Sequence, residues 1–422
     1  MQGHCLFFLT NSLCTSKKIP IGVKLYYILL RNMDIVTVTF FVLLLFQGVC
    51  TFILLARLFR GAKRFPPLTP QFANPQQLAK VSVVVPTLNE VNRIDGMLLG
   101  ITRQTYEVRE ILIVDSYSED GTREKVKDVA QKDPRVKLLS DPPLPSNWVG
   151  RPWALHNGFL ASSQDSEWIL GIDADTKPQP GLIPSLLNFA ETHDYDVLSL
   201  SPQFILKSGG EWWLQPALLM TLLYRFESSG VNAMTPETVM ANGQCFLIKR
   251  KVLEELDGYA MASNSFCDDV TLARGAAMKG YKVGFADGAK LIKVRMYEGL
   301  QETWHEWGRS LDLKDAASRA QLWVECGFLA LVQGLPLPMT IFGLLNYHDY
   351  DFLSFKLLFI LNLFLLLVRF ALLGAIAPSY EKGKSASSLL FWLSPTADTV
   401  AVARIIISAL SKPKTWRGRN YG

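Results

Sequence analysis

A CxxC cysteine pair, a stripe of interleaved basic and aromatic residues, and internal repeats are all missing from this chain of 422 residues. The six cysteines, at positions 5, 14, 50, 245, 267 and 326, form no CxxC pair, so neither a zinc site nor a disulfide framework is expected. The net charge of +5 is not gathered into a basic and aromatic stripe, which argues against nucleic acid as a partner. Without repeats or paired broken helices, a transporter is also disfavoured.

Apolar residues, in contrast, make up 49% of the chain, and the mean hydropathy is +0.17. This is too apolar for an ordinary soluble enzyme, so we expect one soluble domain plus membrane segments. Residues 35–56 carry no charge and are long enough to cross a bilayer as a helix. Basic residues follow at once, which predicts an anchor at 33–58 with the next domain on the cytoplasmic side. Residues 1–32 are interpreted as a disordered extension, or as residues upstream of a true start at Met33.

Three more apolar stretches, 326–346, 357–377 and 389–410, form a predicted membrane region at 326–411. The first two are expected to make a hairpin. Arg369 interrupts the second and would be costly facing lipid, so it needs a polar partner, for which Asp398 is one candidate. We interpret the third as re-entrant or interfacial, because the basic tail at 412–422 then stays in the cytoplasm.

Between these membrane regions, residues 80–320 show strands alternating with helices. The runs VSVVVP (81–86) and ILIVD (111–115) are rich in β-branched residues, each is followed by polar residues and a helical pattern, and residues 136–139 predict a third strand. Such an alternation predicts a parallel sheet with right-handed crossovers. The polar residues after each strand should then meet at one sheet edge, where open α/β sheets bind ligands.

The stretch WILGIDADTKP (168–178) reads as a buried strand that ends in Asp173 and Asp175. On a strand the two carboxylates would point the same way. Two hard oxygen ligands suit Mg²⁺ or Mn²⁺, which complete their shell with water and substrate phosphates, so a nucleotide donor is expected. The alternative is a strand end followed by an Asx-turn.

PTLNE after the first strand, VDSYSEDGT after the second and DAD after a later one together resemble the family 2 glycosyltransferases, which have the GT-A fold. The stretch NWVGRPWALHNG (147–158) and the C-terminal apolar segments resemble a membrane-bound branch that includes cyanobacterial carotenoid 2'-O-glycosyltransferases and hopanoid-associated glycosyltransferases. The resemblance covers residues 80–320. It implies an α/β, GT-A domain (Rossmann-like, with a mostly parallel sheet flanked by helices) carrying N- and C-terminal transmembrane helices.

The resemblance also implies a donor site. Its residues would be Pro86, Thr87 and Glu90 around the nucleotide, Asp115 at the uracil imide, Arg151 at the diphosphate, Asp173 at ribose and metal, and Asp175 as principal metal ligand. Simpler interpretations exist: a helix N-terminal acid for Glu90, a turn residue for Asp115 and a surface arginine for Arg151. Pro152 should be the first residue of the helix that follows.

On the acceptor side, Asp269 matches the catalytic base of the family, and Asp268 is expected to cap the N-terminus of the next helix. Gln301, Trp304 and Trp307 stand where processive relatives carry QxxRW. This chain departs from that motif, with Trp304 in place of the arginine, which puts polymerisation in doubt. Acceptor contacts are expected from Asp268, Gln301, Trp304 and Trp307. Leu300, Trp304, Trp307 and Leu311 would share one helical face, and His305 would be solvated.

These expectations combine into an inverting, metal-dependent enzyme that moves one sugar from a UDP-sugar to the hydroxyl of a membrane-dissolved acceptor. A carotenoid of the myxol type is the specific expectation, with the catalytic domain cytoplasmic at a plasma or thylakoid membrane. Alternative acceptors are a polyprenyl phosphate, a hopanoid, another lipid or a polysaccharide. A nucleotide-sensing transport component is a distant alternative. The helix expected at 211–229 would lie in the membrane interface, roof the acceptor site, or simply pack in the core.

Overall fold

The computed structural model describes residues 35–226, 228–308, 311, 313–383, 386–411, 415–416 and 419–420. The extension expected at 1–32 and most of the tail at 412–422 therefore lie outside the described residues. Strands are β1 (Val81–Thr87), β2 (Val108–Asp115), β3 (Val136–Ser140), β4 (Trp168–Ile172), β5 (Thr176–Pro178), β6 (Val197–Ser201), β7 (Gln203–Phe204), β8 (Cys245–Lys249), β9 (Val283–Asp287) and β10 (Ile292–Val294).

The helices run from the anchor to the C-terminal region. They are α1 (Ile35–Gly61), α2 (Ile94–Thr102), α3 (Thr122–Ala130), α4 (Gly150–Ala161), α5 (Leu182–Thr192), α6 (Gly209–Arg225), α7 (Arg250–Glu255), α8 (Asp268–Met278), α9 (Gly299–Glu302), α10 (Arg319–Leu329), α11 (Pro336–Leu345), α12 (Leu353–Ile376) and α13 (Asp398–Leu410). Two π-helical turns, Thr303–Trp307 and Ala330–Gly334, follow α9 and α10.

Within the described residues, seven strands form one sheet in the order β3-β2-β1-β4-β8-β6-β9. All neighbouring pairs are parallel except those of β8, which runs antiparallel to β4 and to β6. The β-branched runs of β1 and β2 are buried because helices cover both faces of the sheet. The register pairs Thr87 with Asp115, so these strands end level with each other. The prediction of a mostly parallel α/β sheet is confirmed.

Two helices of the described chain, Ile35–Gly61 and Leu353–Ser379, are long and apolar enough to cross a membrane. The pair Arg319–Gly334 and Pro336–Leu345 would be a third span, bent by 43°, if it crosses as one unit. The hairpin partner of α12 is therefore a broken helix rather than the continuous one expected at 326–346. Helix α13 has only 13 residues, and its interfacial placement stays a prediction.

Polar side chains buried between the apolar helices hold them together. Arg369 Nε lies 2.8 Å from Asp398 Oδ2 and its Nη2 lies 3.1 Å from Asp398 Oδ1, so the expected partner of Arg369 is confirmed. Gln333 Nε2 joins the pair by donating to Asp398 Oδ1 and to the Ala217 carbonyl of α6. Gln47 and Asn362 exchange two amide hydrogen bonds between α1 and α12 at 2.8 and 2.9 Å. Such interhelical bonds fix the register of apolar helices.

Helix α6 connects the sheet domain to these apolar helices. Its N-cap is Ser208, whose side chain accepts from the Glu211 amide. Leu214 and Leu218 belong to the core cluster that also contains Leu54 of α1 and Leu365 of α12. Of the alternatives for 211–229, the core helix agrees with this packing.

Candidate functional site

A cleft opens at the carboxyl edge of the sheet, between β1, β4 and the start of α8. Nine of the residues expected at the site line it: Pro86, Thr87, Glu90, Arg151, Asp173, Asp175, Asp268, Asp269 and Trp307. These residues come from positions spread over more than half of the chain. The strand ends, the helix α4 and the N-terminus of α8 bring them together, as the sheet-edge argument predicts.

Arg151, in the first turn of α4, lies at the centre of the polar part of the cleft. Its Nε donates to Asp173 Oδ1 at 2.9 Å, its Nη1 donates to Asp268, and its Nη2 donates to the Gly243 carbonyl at 2.7 Å. Burial by itself would lower the pKa of the guanidinium, but the charges of Asp173 and Asp268 outweigh burial and raise the pKa. Arg151 is therefore a permanent cation inside the cleft, and the surface-arginine alternative is wrong.

Helix α4 begins at Gly150 rather than at Pro152, so Pro152 is the third residue of the helix. The difference matters for Arg151. Because Arg151 already belongs to the helix, its backbone direction is set by α4 and not by a free turn.

The loop before β8 joins Arg151 to Asp269. The Gly243 amide donates to Asp269 Oδ2 at 2.6 Å, and the Val270 amide donates to Asp269 Oδ1 at 2.9 Å. Burial raises the pKa of Asp269, while the charge of Arg151 and these two amides oppose the rise. Asp269 is thus oriented by backbone groups on both oxygens, which suits a carboxylate that has to face a substrate in one direction.

Asp268 does not cap α8 in the way expected. The helix includes Asp268 as its first residue, Cys267 occupies the N-cap position, and no side chain makes a capping hydrogen bond there. The Asp268 side chain binds Arg151 instead, because a buried guanidinium attracts it more strongly than a helix N-terminus does. Burial raises the pKa of Asp268 to about 7, against the opposing charge of Arg151.

Asp173 and Asp175 follow β4 in a turn, since the strand already ends at Ile172. The Thr176 amide and hydroxyl both donate to the Asp173 carbonyl, at 3.3 and 2.7 Å. The strand-alternation argument for their common direction therefore does not apply, but the turn still places both in the cleft. Burial and the neighbouring charge of Asp173 raise the pKa of Asp175 to about 7.

The donor set of this turn fits a divalent cation. Among the residues that the structure describes, no three His, Cys, Asp or Glu side chains are grouped as a complete metal site. Asp173 and Asp175 offer only carboxylate oxygens, the ligands that Mg²⁺ and Mn²⁺ prefer. Two carboxylates are enough for an ion that takes its remaining ligands from a diphosphate and water.

Asp115 lies below the cleft and does not line it. Its carboxylate accepts from Thr87 Oγ1 at 3.1 Å, from the Ser118 amide at 3.0 Å and from Arg123 at 2.8 Å. These bonds hold the end of β1 against β2, so the turn-residue interpretation matches the contacts. The Glu90 carbonyl accepts from the Arg93 and Ile94 amides at the start of α2, each at 2.9 Å, so Glu90 lies at the N-terminus of that helix as well as in the cleft.

Not all residues of the acceptor-side motif line the cleft. Trp307 lines the cleft, but Gln301 is exposed and Trp304 packs under the Arg404 guanidinium, 5.5 Å from the ring centroid. Trp304, Trp307 and Leu311 pack in one cluster with the apolar helices. The Thr303–Trp307 turn is π-helical, and of these three residues Trp307 and Leu311 line the cleft. His305 is exposed, as expected.

Another part of the cleft lining is apolar. It is formed by Leu222, Met240, Phe266, Met296, Tyr297, Trp307, Leu311 and Leu313. Sequence analysis did not single out Met240, Met296, Tyr297 or Leu313, because an isolated apolar residue in a loop carries no periodic signal. The cleft is therefore lined partly by charged side chains and partly by apolar ones.

Residues 82–257 match the family described as Glycosyl transferase family 2. This segment is thus similar to the catalytic domain of family 2 glycosyltransferases. The matched segment includes Arg151, Asp173, Asp175 and Gly243, and it ends before Asp269. The fold is the GT-A type of α/β domain, with helices long enough to span a membrane at both ends of it.

Several curated glycosyltransferases are similar to this chain. A 4,4'-diaponeurosporenoate glycosyltransferase from Staphylococcus haemolyticus (strain JCSC1435) is 22% identical over 232 residues, which are 55% of this chain and 60% of that protein. An undecaprenyl-phosphate mannosyltransferase from Micrococcus luteus is 29% identical over 119 residues, 27% of this chain and 46% of that protein. The chain thus matches about half the length of these relatives. A solved mannosyltransferase from Pyrobaculum calidifontis, in complex with GDP-Man and Mn²⁺, is 18% identical, has a TM-score of 0.48, and the match covers 88% of this chain and 98% of that one.

Proposed function

We propose that this chain is a metal-dependent, inverting glycosyltransferase that moves one sugar from a nucleoside diphosphate sugar to the hydroxyl of a lipid-like acceptor dissolved in the membrane. The observation that carries the proposal is the division of one cleft into a carboxylate side, at Asp173, Asp175 and Asp269, and an apolar side that is continuous with the core around the apolar helices. A soluble sugar acceptor would have no use for the second side.

The donor diphosphate binds beside the turn after β4. Asp173 and Asp175 would hold a divalent cation there, and the cation would neutralise the diphosphate as its bond to the sugar breaks. Pro86, Thr87 and Glu90 surround the nucleoside, with Asp115 fixing Thr87 from below. Arg151 is bonded to Asp173 and Asp268 in the same cleft, so its guanidinium is in position to bind diphosphate oxygens.

Asp269 is the general base. It takes the proton from the acceptor hydroxyl while that oxygen attacks the anomeric carbon from the side opposite the diphosphate. One carboxylate is enough, because the leaving group departs as a stabilised diphosphate and needs no acid. The amides of Gly243 and Val270 hold the Asp269 oxygens in one orientation throughout.

The acceptor lies along the wall that contains Leu222 and Trp307. Trp307 shares a core cluster with Leu54 of α1 and Leu365 of α12, the two helices that could cross the membrane. An acceptor that enters from the bilayer meets this wall first. We propose a carotenoid of the myxol type as the acceptor, and similarity to a diaponeurosporenoate glycosyltransferase supports a long apolar acceptor. Gln301 and Trp304 then have no direct contact with it.

The domain lies on the cytoplasmic side of the membrane in this proposal. The basic residues after the anchor also dock the domain: Arg57 donates to the Tyr224 carbonyl at 2.9 Å, and Arg64 lies 3.4 Å from Asp287. The charges that orient the anchor therefore also fix the domain close to the membrane surface.

The test is an assay of the full-length protein in membranes with labelled UDP- and GDP-sugars and with lipid extracts. The proposal expects a labelled, singly glycosylated lipid, and pigment profiling of a deletion strain should show the accumulated aglycone. A long labelled polymer would contradict single transfer. An Asp269→Asn variant with full biological activity would instead favour a nucleotide-sensing role.

A further inference from the structure

A short segment crosses the apolar side of the cleft between the π-helical turn and α10. We call it the strap and define it as Leu311 together with residues 313–316. Leu311 and Leu313 both line the cleft and are each only 5% exposed. Leu313 packs with Cys267 and Val270, the neighbours of Asp268 and Asp269 in the chain. The strap therefore lies beside the base.

Two buried arginines hold the backbone of the strap. Arg225, at the end of α6, donates to the Leu311 carbonyl at 2.5 Å, and Arg274 of α8 donates to the Ala316 carbonyl. Both guanidinium groups also lie over the ring of Phe226, at 4.8 and 5.5 Å from its centroid. One arginine thus holds each end of the strap, and both start from helices that carry cleft residues.

Other contacts fix the strap laterally. Asp315 Oδ2 accepts from the Phe266 amide at 2.9 Å, which ties the strap to the loop before α8. Lys314 Nζ donates to the Ser408 carbonyl of α13 at 2.9 Å. Arg225 is itself held by Glu325 of α10, with Nε 2.9 Å from the carboxylate. The strap is therefore bonded directly to the helices α6, α8 and α13. Arg225, which makes the bond from α6, is bonded in turn to α10.

Leu313 has a backbone conformation that leucine rarely adopts. Its φ is +57°, in the left-handed region where a Cβ atom crowds the backbone and where glycine is normally found. A strained residue persists only where its surroundings over-determine it, and such residues cluster at functional sites. Here the surroundings are the carbonyl bonds on both sides of Leu313. Leucine places an apolar side chain in the cleft, and glycine would not.

We infer that Leu313 is a specificity-determining residue, whose side chain limits the width of the acceptor that can lie beside Asp269. Arg225 and Arg274 are positioning residues that hold the backbone around Leu313 in place. The inference rests on the proposed function and names the part of the acceptor that is selected. A slender, acyclic chain passes Leu313, whereas a ring close to the reacting hydroxyl meets the side chain.

The test uses the full-length protein in lipid nanodiscs, a UDP-sugar that the wild type accepts, and two polyisoprenoid alcohols, one acyclic and one with a ring near the hydroxyl. Leu313→Ala and Leu313→Gly should raise the ratio of kcat/KM for the ringed alcohol over the acyclic one by about tenfold, as expected for apolar volume in a binding pocket. Leu313→Met keeps the volume and should keep the ratio. Leu256→Ala, which empties a buried site outside the cleft, is the matched control for lost stability and should also keep it.

A ratio that stays within twofold in both small variants, while the wild type transfers sugar, would overturn this inference and leave the proposed function intact. Transfer by the wild type to neither alcohol nor to lipid extracts would overturn both. Leu313→Gly should also melt no lower than Leu313→Ala, because glycine relieves the left-handed strain. The opposite order of melting temperatures would count against the strain at this position.

Discussion

Gly243 donates its backbone amide to Asp269 at 2.6 Å, and the space where a side chain on Gly243 would lie is filled by Arg151. A Cβ atom there would be 2.5 Å from Arg151 Nη2. We predict that Gly243→Ala displaces the guanidinium and tilts Asp269, lowering kcat for transfer about tenfold or more with a smaller change in the KM for the donor. Steady-state kinetics measure this split.

Gly327→Ala is the matched control for that variant. A Cβ at Gly327 in α10 meets nothing within 4 Å, so this substitution should leave kcat unchanged. A Gly243→Ala enzyme with wild-type kcat would show that the backbone link between Arg151 and Asp269 has no role in positioning the base.

Removal of the base should stop transfer while donor binding survives. Asp269→Asn keeps the shape and can still accept one of the two backbone N–H bonds through its single oxygen. It cannot take a proton, so we expect kcat to fall about 10²–10⁴-fold. Titration calorimetry should still detect nucleoside diphosphate binding in the presence of Mn²⁺. Asp165→Asn, whose side chain is 80% exposed, controls for a general effect of losing one carboxylate.

The pH profile should report the raised pKa of Asp269. Burial raises it, although Arg151 and two amides oppose the rise. A general base works only when ionised, so kcat/KM should fall as the pH drops through this pKa. The acid limb should therefore lie above the ordinary aspartate value of about 4. A profile that stays flat down to pH 4 would assign the base to another group.

Loss of one member of the Arg369–Asp398 pair should be more harmful than loss of both. Arg369→Leu leaves a buried, unpaired carboxylate, which costs about 3–5 kcal/mol of unfolding free energy. The double variant Arg369→Leu, Asp398→Leu removes both charges and should recover most of this loss. Thermal unfolding in detergent gives the comparison, and equal destabilisation by the single and double variants would contradict a mutual pairing.

The strands, and the position of Asp173 and Asp175 at the carboxyl edge of the sheet, could be predicted from sequence because local residue patterns determine them. The β-branched runs of β1 and β2 have to be buried on both faces, and their ends have to meet at one edge. The pairing of Arg369 with Asp398 was also predictable, since a cation in an apolar helix requires a partner.

Other features depended on tertiary contacts that no local pattern encodes. Asp268 has the sequence context of an N-cap, but a guanidinium from α4 competes for it. The π-helical turn at Thr303–Trp307 has no sequence signal, and of Trp304 and Trp307 only Trp307 lines the cleft. Leu313 lies in an irregular segment, so neither its strained φ nor its place in the cleft has a sequence signature.

In the proposed mechanism, one cleft holds both the donor site at Asp175 and the general base Asp269. The most direct measurement is Mn²⁺-dependent binding of UDP or GDP, together with sugar transfer to lipid extracts, in Asp175→Asn and Asp269→Asn proteins. We predict that Asp175→Asn loses the Mn²⁺ dependence of nucleotide binding and also loses transfer, whereas Asp269→Asn keeps the first and loses only the second. Nucleotide binding that needs Mn²⁺ equally in both variants, or transfer by Asp269→Asn at the wild-type rate, would contradict it.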